Sequence, residues 1–274
     1  MTADAAVFAE RYGPCALVAG AAEGIGAAFA SELAARGVNL LVVDVNAEKL
    51  DATVAPLREQ VEVRTIVADL SDTAALDAIV EAASPVDLGL LIYNAGISYV
   101  GPFRDQTLES SLAQLDINVR APLVLVHRLL PGLLARGRGG VILLSSQSAM
   151  RGAPLVATYA ATKSWALVLG EGLWEELRHD GVDVLAVLPG STRTPGWLAS
   201  QPQSSLGTSN VMEPADVARE ALDTLGERPS LIVGQDNRDA DAFIATMDRR
   251  DAVAMMGDVM RSMYPSERQA DPTV

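Results

Sequence analysis

Tyr159 and Lys163 stand four residues apart in the stretch Tyr159-Ala-Ala-Thr-Lys163. At helical periodicity this spacing puts both side chains on one face. A lysine ammonium beside a phenol favours the phenolate and lowers the tyrosine pKa toward working pH. A tyrosine tuned in this way can give or take a proton. Ser146, thirteen residues earlier, follows an apolar run and adds a hydroxyl. Such a group can hold a substrate oxygen and stabilise developing alkoxide charge. The three residues together describe acid/base chemistry at a carbonyl or alcohol carbon. A Tyr/Lys pair at this spacing is common on solvated helix faces, so its meaning depends on its surroundings.

The surroundings begin with Gly20-Ala-Ala-Glu23-Gly24-Ile25-Gly26, set between an apolar run and an amphipathic one. Glycines there allow a tight turn and close approach to a pyrophosphate, whose charge meets the helix N-terminus. Asp44 ends the next apolar run, about twenty residues further on. A carboxylate at that point can accept hydrogen bonds from both adenosine ribose hydroxyls and would repel a 2′-phosphate. It favours NAD over NADP. Neither Val45 nor Asn46 brings a positive charge, and Glu23 adds a second negative one. Asp69, followed by Leu70, is placed to contact the adenine edge, although capping of the next helix fits it equally well.

Seven short apolar runs supply the strands that would position these groups: Ala16–Ala19, Asn39–Asp44, Glu62–Ala68, Gly89–Tyr93, Gly140–Ser145, Val182–Leu188 and Ser230–Val233. They are continuously apolar, as strands buried on both faces are. Helical patterns separate them, at Gly24–Arg36, Ala47–Gln60, Thr73–Ala83, Thr107–Ala135, Ala157–His179 and Pro214–Leu225. This alternation predicts an α/β fold, a single doubly wound Rossmann-type domain over residues 1–274. Its sheet is seven-stranded and parallel, with helices on both faces. Residues 191–213, rich in Ser, Pro and Gly, read as a substrate-side loop, since a long irregular segment in a compact domain is often a binding loop. Residues 238–263 read as one helical extension. Its Met247, Met255, Met256, Met260 and Met263 are expected to fill gaps in a core or subunit interface rather than line a pocket. Residues 266–274 read as a frayed tail.

Composition narrows the partners. The 274 residues carry a net charge of −14, which speaks against nucleic acid or an anionic membrane. Nearly half are hydrophobic, at 49%, which suits a sheet covered on both faces. A domain of this length buries roughly 75% of its unfolded surface, so no disulfide or metal is needed for stability. Cys15, a lone cysteine in an apolar run, reads as core. His127 and His179 have no partner at metal or triad spacing, so no metal is expected. The first fourteen residues lack a signal-peptide pattern. The most apolar stretch, Ala121 to Leu134, is interrupted by His127, Arg128 and Pro131 and reads as too short to span a bilayer. A cytoplasmic protein is expected.

Taken in order, these motifs resemble the short-chain dehydrogenase/reductase family over about Ala16 to Val233. Gly20, Gly24 and Gly26 match its glycine motif, and Tyr93-Asn94-Ala95-Gly96, Asn118, Ser146, Tyr159, Lys163 and the turn Pro189-Gly190-Ser-Thr192-Arg-Thr194 follow in sequence. The resemblance implies that Tyr159 is the general acid/base, that Lys163 also holds the nicotinamide ribose, and that Ser146 orients the carbonyl or hydroxyl. It implies that Asn118 binds a water linking Lys163 to solvent. Asn94, Ala95 and Gly96 would steady the sheet beside the cofactor, and Pro189, Gly190, Thr192 and Thr194 would touch the nicotinamide side. Two positions depart from the pattern: Ala19 stands where threonine is usual, and Tyr93 where asparagine is. Both bear on the scaffold rather than the chemistry.

Ser98, Tyr99, Gln147, Met150, Leu155, Val156, Trp197 and Leu198 are expected to border the substrate. They are mainly apolar and offer no cation to clamp an acid group, which favours a neutral hydrophobic secondary alcohol or ketone. With NAD, oxidation is the expected direction. A 3-oxoacyl-thioester reductase using NADPH, or a silent nicotinamide-binding sensor or scaffold, are the competing readings. The two long helices resemble the pair through which members of the family form homodimers and homotetramers.

Overall fold

In the computed structural model the described residues are 3–200 and 211–265. The expected loop 191–213 therefore lies partly outside them, and the expected tail 266–274 wholly outside. Seven strands form one sheet: β1 Cys15–Ala19, β2 Asn39–Asp44, β3 Val63–Val67, β4 Leu88–Tyr93, β5 Gly139–Leu144, β6 Val182–Leu188 and β7 Ser230–Ile232. Their spatial order is β3-β2-β1-β4-β5-β6-β7 and every pairing is parallel. All of β1, β4 and β5 is buried, which is why these strands read as unbroken apolar runs. The alternating residues feed two cores. Leu90, Ile92 and Leu185 face one, while Leu91, Leu143 and Val184 face the other. Chain direction across the sheet reverses between β1 and β4, and ligands of such sheets bind beyond the strand C-termini at that point.

Eleven α-helices are found among the described residues. In order they are α1 Ala3–Tyr12, α2 Gly24–Ala35, α3 Ala47–Val54, α4 Thr73–Ala83, α5 Leu108–Leu115, α6 Ala121–Arg136, α7 Ala157–Leu177, α8 Pro195–Ala199, α9 Pro214–Thr224, α10 Gln235–Ala245 and α11 Arg249–Met263. Helix α1 carries no strong sequence signal. Tertiary contacts hold it: the Tyr12 hydroxyl donates to Asp183 at 2.6 Å and Phe8 joins the first core. Helix α3 tightens into a 3₁₀ turn at Ala55–Glu59, where Pro56 cannot donate to the α-helical ladder.

Three expectations need correction. The helix foreseen over Thr107–Ala135 is α5 and α6 joined through a π-turn at Asp116–Arg120. The stretch Leu108–Arg136 nevertheless runs 29 residues and contains a window whose mean hydropathy reaches 1.2, so by length and composition it does reach what spanning a membrane needs. It does so because Leu125, Leu129 and Leu133 must cover the sheet, and Pro131 near its end does not interrupt it. The extension foreseen as one helix is two, α10 and α11, because Asp248 starts a new helix by accepting the Arg250 N–H at 2.9 Å.

Candidate active site

The strand C-termini bring the glycine loop, Asp44, Asn94, Ser146 and the Pro189 turn to one edge of the sheet. Gly20 has φ +79° and Gly24 φ +60°, conformations that favour glycine. A Cβ on Gly20 would stand 2.7 Å from the Ala95 Cα, and one on Gly26 only 1.8 Å from the Gly20 carbonyl oxygen. The Asn94 amide donates to that carbonyl at 2.8 Å. Loop, strand β4 and the start of α2 are thus in backbone contact. The first N–H groups of α2 lack helical partners by construction. No side chain caps them, since Glu23 makes no capping bond. This cradle fits a pyrophosphate.

Asp44 binds the loop. Its carboxylate accepts from Ala22 N at 2.9 Å and Asn46 N at 3.0 Å. The structure adds a residue that sequence spacing did not suggest. Lys49, on α3, pairs with Glu23 at 2.6 Å and lies within the field of Asp44. The Asp69 carboxylate accepts from both the N–H and the hydroxyl of Ser71, which holds its pKa below the usual value. It caps that turn, while Asp72 caps α4. Leu70 is buried beside it.

Ser145 pins β5 to α7, its hydroxyl donating to the Lys163 carbonyl at 2.7 Å. Ser146 follows in extended backbone and turns its hydroxyl to the Ser148 N–H and hydroxyl at 3.2 and 3.0 Å. One face of α7 carries Tyr159 and Lys163, with the ammonium 5.6 Å from the phenol ring centroid. Lys163 is 5% exposed and donates to the Leu144 carbonyl; burial lowers its pKa to about 8. Burial also raises the Tyr159 pKa; contact with the Ser146 hydroxyl opposes this, and Tyr264 reinforces it. The direction differs from the sequence expectation of a phenol lowered by its lysine. Desolvation of the phenolate outweighs a lysine that is itself desolvated.

Asn118 sits in the π-turn, buried, and grips Ile97: its side-chain oxygen accepts the Ile97 N–H and its amide donates to the Ile97 carbonyl, both at 2.9 Å. The amide also donates to Thr162 at 3.0 Å. A Cβ on Gly96 would meet the Lys163 Nζ at 3.1 Å and the Asn118 Oδ1 at 3.3 Å, so this glycine sits between them. Across the cleft, Thr194 caps α8 and closes on Gly24, whose Cβ would lie 3.0 Å from its methyl. Thr192 is buried and bonds the Gly190 carbonyl at 3.0 Å. Pro189 accepts the Gln147 N–H at 3.1 Å.

A family model for short chain dehydrogenases matches residues 14–204. The chain belongs to the short-chain dehydrogenase family. A 7beta-hydroxysteroid dehydrogenase from Clostridium sardiniense is 31% identical over 258 residues, which cover 93% of this chain and 99% of that protein. A solved structure concerned with 7beta-hydroxysteroid dehydrogenase stereoselectivity superposes at a TM-score of 0.85, with 30% identity, over 91% of this chain and 98% of its own. The inactive hydroxysteroid dehydrogenase-like protein 1 of Homo sapiens is 32% identical over 224 residues, 79% of this chain and 67% of that one. The family binds a nicotinamide cofactor, and the glycine cradle of this dehydrogenase fits one.

Of the expected substrate-side residues, Leu155 and Val156 meet Tyr159 in one apolar cluster with Ala153, Ala160 and Val100. Leu155 takes φ +66°, a left-handed conformation that costs a side-chain-bearing residue on the order of 1 kcal/mol. Gln147 turns away instead, with its amide toward the Asn237 carbonyl on α10 at 3.4 Å. Ser98, Tyr99 and Leu198 are exposed, and Met150 and Trp197 half-buried; none of the five belongs to this dehydrogenase's Tyr159 cluster. Besides Lys49, the residues that sequence reading did not place at the site are Val100, Met260 of α11 and Tyr264, which caps that helix. Met260 is buried in the cluster and Tyr264 packs against it. The Tyr264 hydroxyl is 3.0 Å from that of Ser200 at the end of α8. The methionine-rich pattern hinted at an apolar face, yet nothing in it named the Tyr159 cluster as what that face covers.

Proposed function

We propose that this short-chain dehydrogenase oxidises, with NAD, the secondary hydroxyl of a bulky apolar molecule of the hydroxysteroid kind. The observation that carries this is the convergence of Ser146, Tyr159 and Lys163 beneath a wall of Val100, Leu155, Val156, Met260 and Tyr264. The wall is apolar apart from one phenol, so it suits a neutral ring system. Similarity to 7beta-hydroxysteroid dehydrogenases over nearly the whole chain supports the same class.

In this reading Ser146 orients the substrate oxygen and Tyr159 takes its proton. NAD, when bound to the glycine cradle, accepts the hydride from the carbinol carbon. Lys163, with a pKa brought near 8 by burial, exchanges protons readily at working pH and passes them on beside Asn118. Asp44 supports NAD over NADP, since its carboxylate would face a 2′-phosphate, while the Glu23 charge is held by Lys49. A silent sensor is the second reading, favoured by similarity to the inactive human protein.

Exposed Leu112 and Leu115 on α5 and Val168 on α7 suit pairing of these two helices with those of a second copy, as a homodimer or homotetramer.

The test is turnover on a panel of cyclic, aryl and steroid secondary alcohols, both 7-hydroxy epimers included, with NAD and with NADP. Turnover with NAD that disappears in Tyr159→Phe is the expected result. Turnover with NADP alone would overturn the cofactor reading. Tight NAD binding without turnover on any panel member would favour the sensor.

A further inference from the structure

Tyr93 ends β4, is 3% exposed, and donates its phenol hydrogen to the Ile117 carbonyl at 2.5 Å. Ile117 lies inside the π-turn Asp116–Arg120. In an α-helix its carbonyl would accept the N–H of residue 121. Here the Ala121 N–H bonds the Asp116 carbonyl instead. The next donor along the chain would be residue 122, which is Pro122 and has no N–H. The main chain therefore offers the Ile117 carbonyl no helical donor, and Tyr93 supplies one from across the sheet edge. Burial pushes the phenol pKa far up, so the group stays a neutral donor at any working pH.

The same proline acts once more in this turn. The α-helical donor for the Asn118 carbonyl would also be the N–H of residue 122. Two successive carbonyls of the turn thus lose their α-helical donors. One is taken by Tyr93. The other belongs to the residue whose side chain grips Ile97 and Thr162 and sits across Gly96 from the Lys163 ammonium.

We propose that Tyr93 is a positioning residue for proton transfer at Lys163. By occupying the Ile117 carbonyl it holds the π-turn in the register that sets the Asn118 side chain beside the lysine. The proposal rests on the dehydrogenase reading for its kinetic part, and on the turn alone for its structural part.

Tyr93→Phe removes one hydroxyl and keeps the ring. Hydrogen exchange followed by mass spectrometry on the cofactor-free protein reads the turn without any substrate. Amides around residues 117–123 are expected to exchange about tenfold faster while β4 and β5 are unchanged. Pro122→Ala in the Tyr93→Phe background returns a main-chain N–H to the turn and is expected to slow that exchange again. With the best alcohol of the panel, kcat is expected to fall about tenfold, the loss of one positioned hydrogen bond, with substrate KM within about twofold. Any limb of the kcat profile that Lys163 sets is expected to move. Unchanged exchange would overturn the proposal. So would a lowered melting temperature with an unaltered kcat and pH profile, because the bond would then serve stability alone. A wild-type protein that turns over nothing sinks the dehydrogenase reading, and the exchange result still decides whether Tyr93 holds the turn.

Discussion

The Lys163 ammonium donates a 2.8 Å hydrogen bond to the carbonyl of Leu144, the last residue of β5. This bond ties the Tyr159/Lys163 face of α7 to the end of a central strand. It does not compensate the lysine for lost hydration, and the pKa falls from 10.5 to about 8. Below pH 8 the folded and unfolded forms both carry the proton, and folding bears the whole desolvation penalty, about 3 kcal/mol. Between pH 8 and 10.5 the unfolded lysine keeps its proton while the folded one has lost it, so the penalty fades. Lys163→Met is therefore expected to melt a few degrees above the wild type at pH 7, roughly 3–6 °C, with the gap closing by about pH 10. Calorimetry without cofactor reads it. Equal melting temperatures across that range would show that the ammonium remains hydrated.

Glu23 holds Lys49 at 2.6 Å, next to the carboxylate of Asp44. Removing the Glu23 charge leaves Lys49 with Asp44 alone, free to meet the 2′-phosphate of an NADP bound by the glycine cradle. Glu23→Gln is expected to raise the NADPH-to-NADH affinity ratio about tenfold, the effect of roughly 1.4 kcal/mol. Lys49→Ala in the same background should cancel most of that gain. Titration calorimetry with each reduced cofactor decides it, and a gain that survives loss of Lys49 would assign the effect to Glu23 alone.

Gly26 has no room for a methyl group, with the Gly20 carbonyl at 1.8 Å and the Asn94 amide at 2.6 Å from an ideal Cβ. Gly26→Ala must push the glycine loop off β4. Dinucleotide binding is expected to weaken at least about a hundredfold, close to 3 kcal/mol, within the usual cost of overpacking. Fluorescence titration with NADH measures this. Near-normal affinity would mean that the loop does not form the phosphate cradle.

Tyr264 links the end of α11 to Ser200 while packing on the cluster around Tyr159. Tyr264→Phe keeps the apolar wall and loses the link. About 1 kcal/mol is at stake, so KM for a bulky alcohol should rise about fivefold and KM for a small one hardly at all. An equal effect on both would indicate that the residue does not face the substrate.

Much of the fold was legible because a strand covered on both faces must be apolar throughout. The runs at Asn39–Asp44 and Val182–Leu188 match β2 and β6 residue for residue. Other boundaries moved where a single residue changes the hydrogen bonding: Pro56 ends α3 and Asp248 divides α10 from α11. The glycine loop and the Tyr159/Lys163 pair were legible because each is a local pattern, fixed by turn geometry and helical period.

What the sequence by itself determined is therefore local: the strand and helix alternation, the glycine turn, and the face shared by Tyr159 and Lys163. Only the tertiary structure decided which distant residues meet there. Lys49 reaches Glu23 across 26 positions, Tyr93 reaches Ile117 across 24, and Tyr264 reaches Ser200 across 64. Periodicity reports that a face is apolar, or that a polar group is present, but the partner is set by how strands and helices stack. Burial then fixes the protonation chemistry, since the lysine and the tyrosine owe their shifted pKa values first to the atoms packed around them.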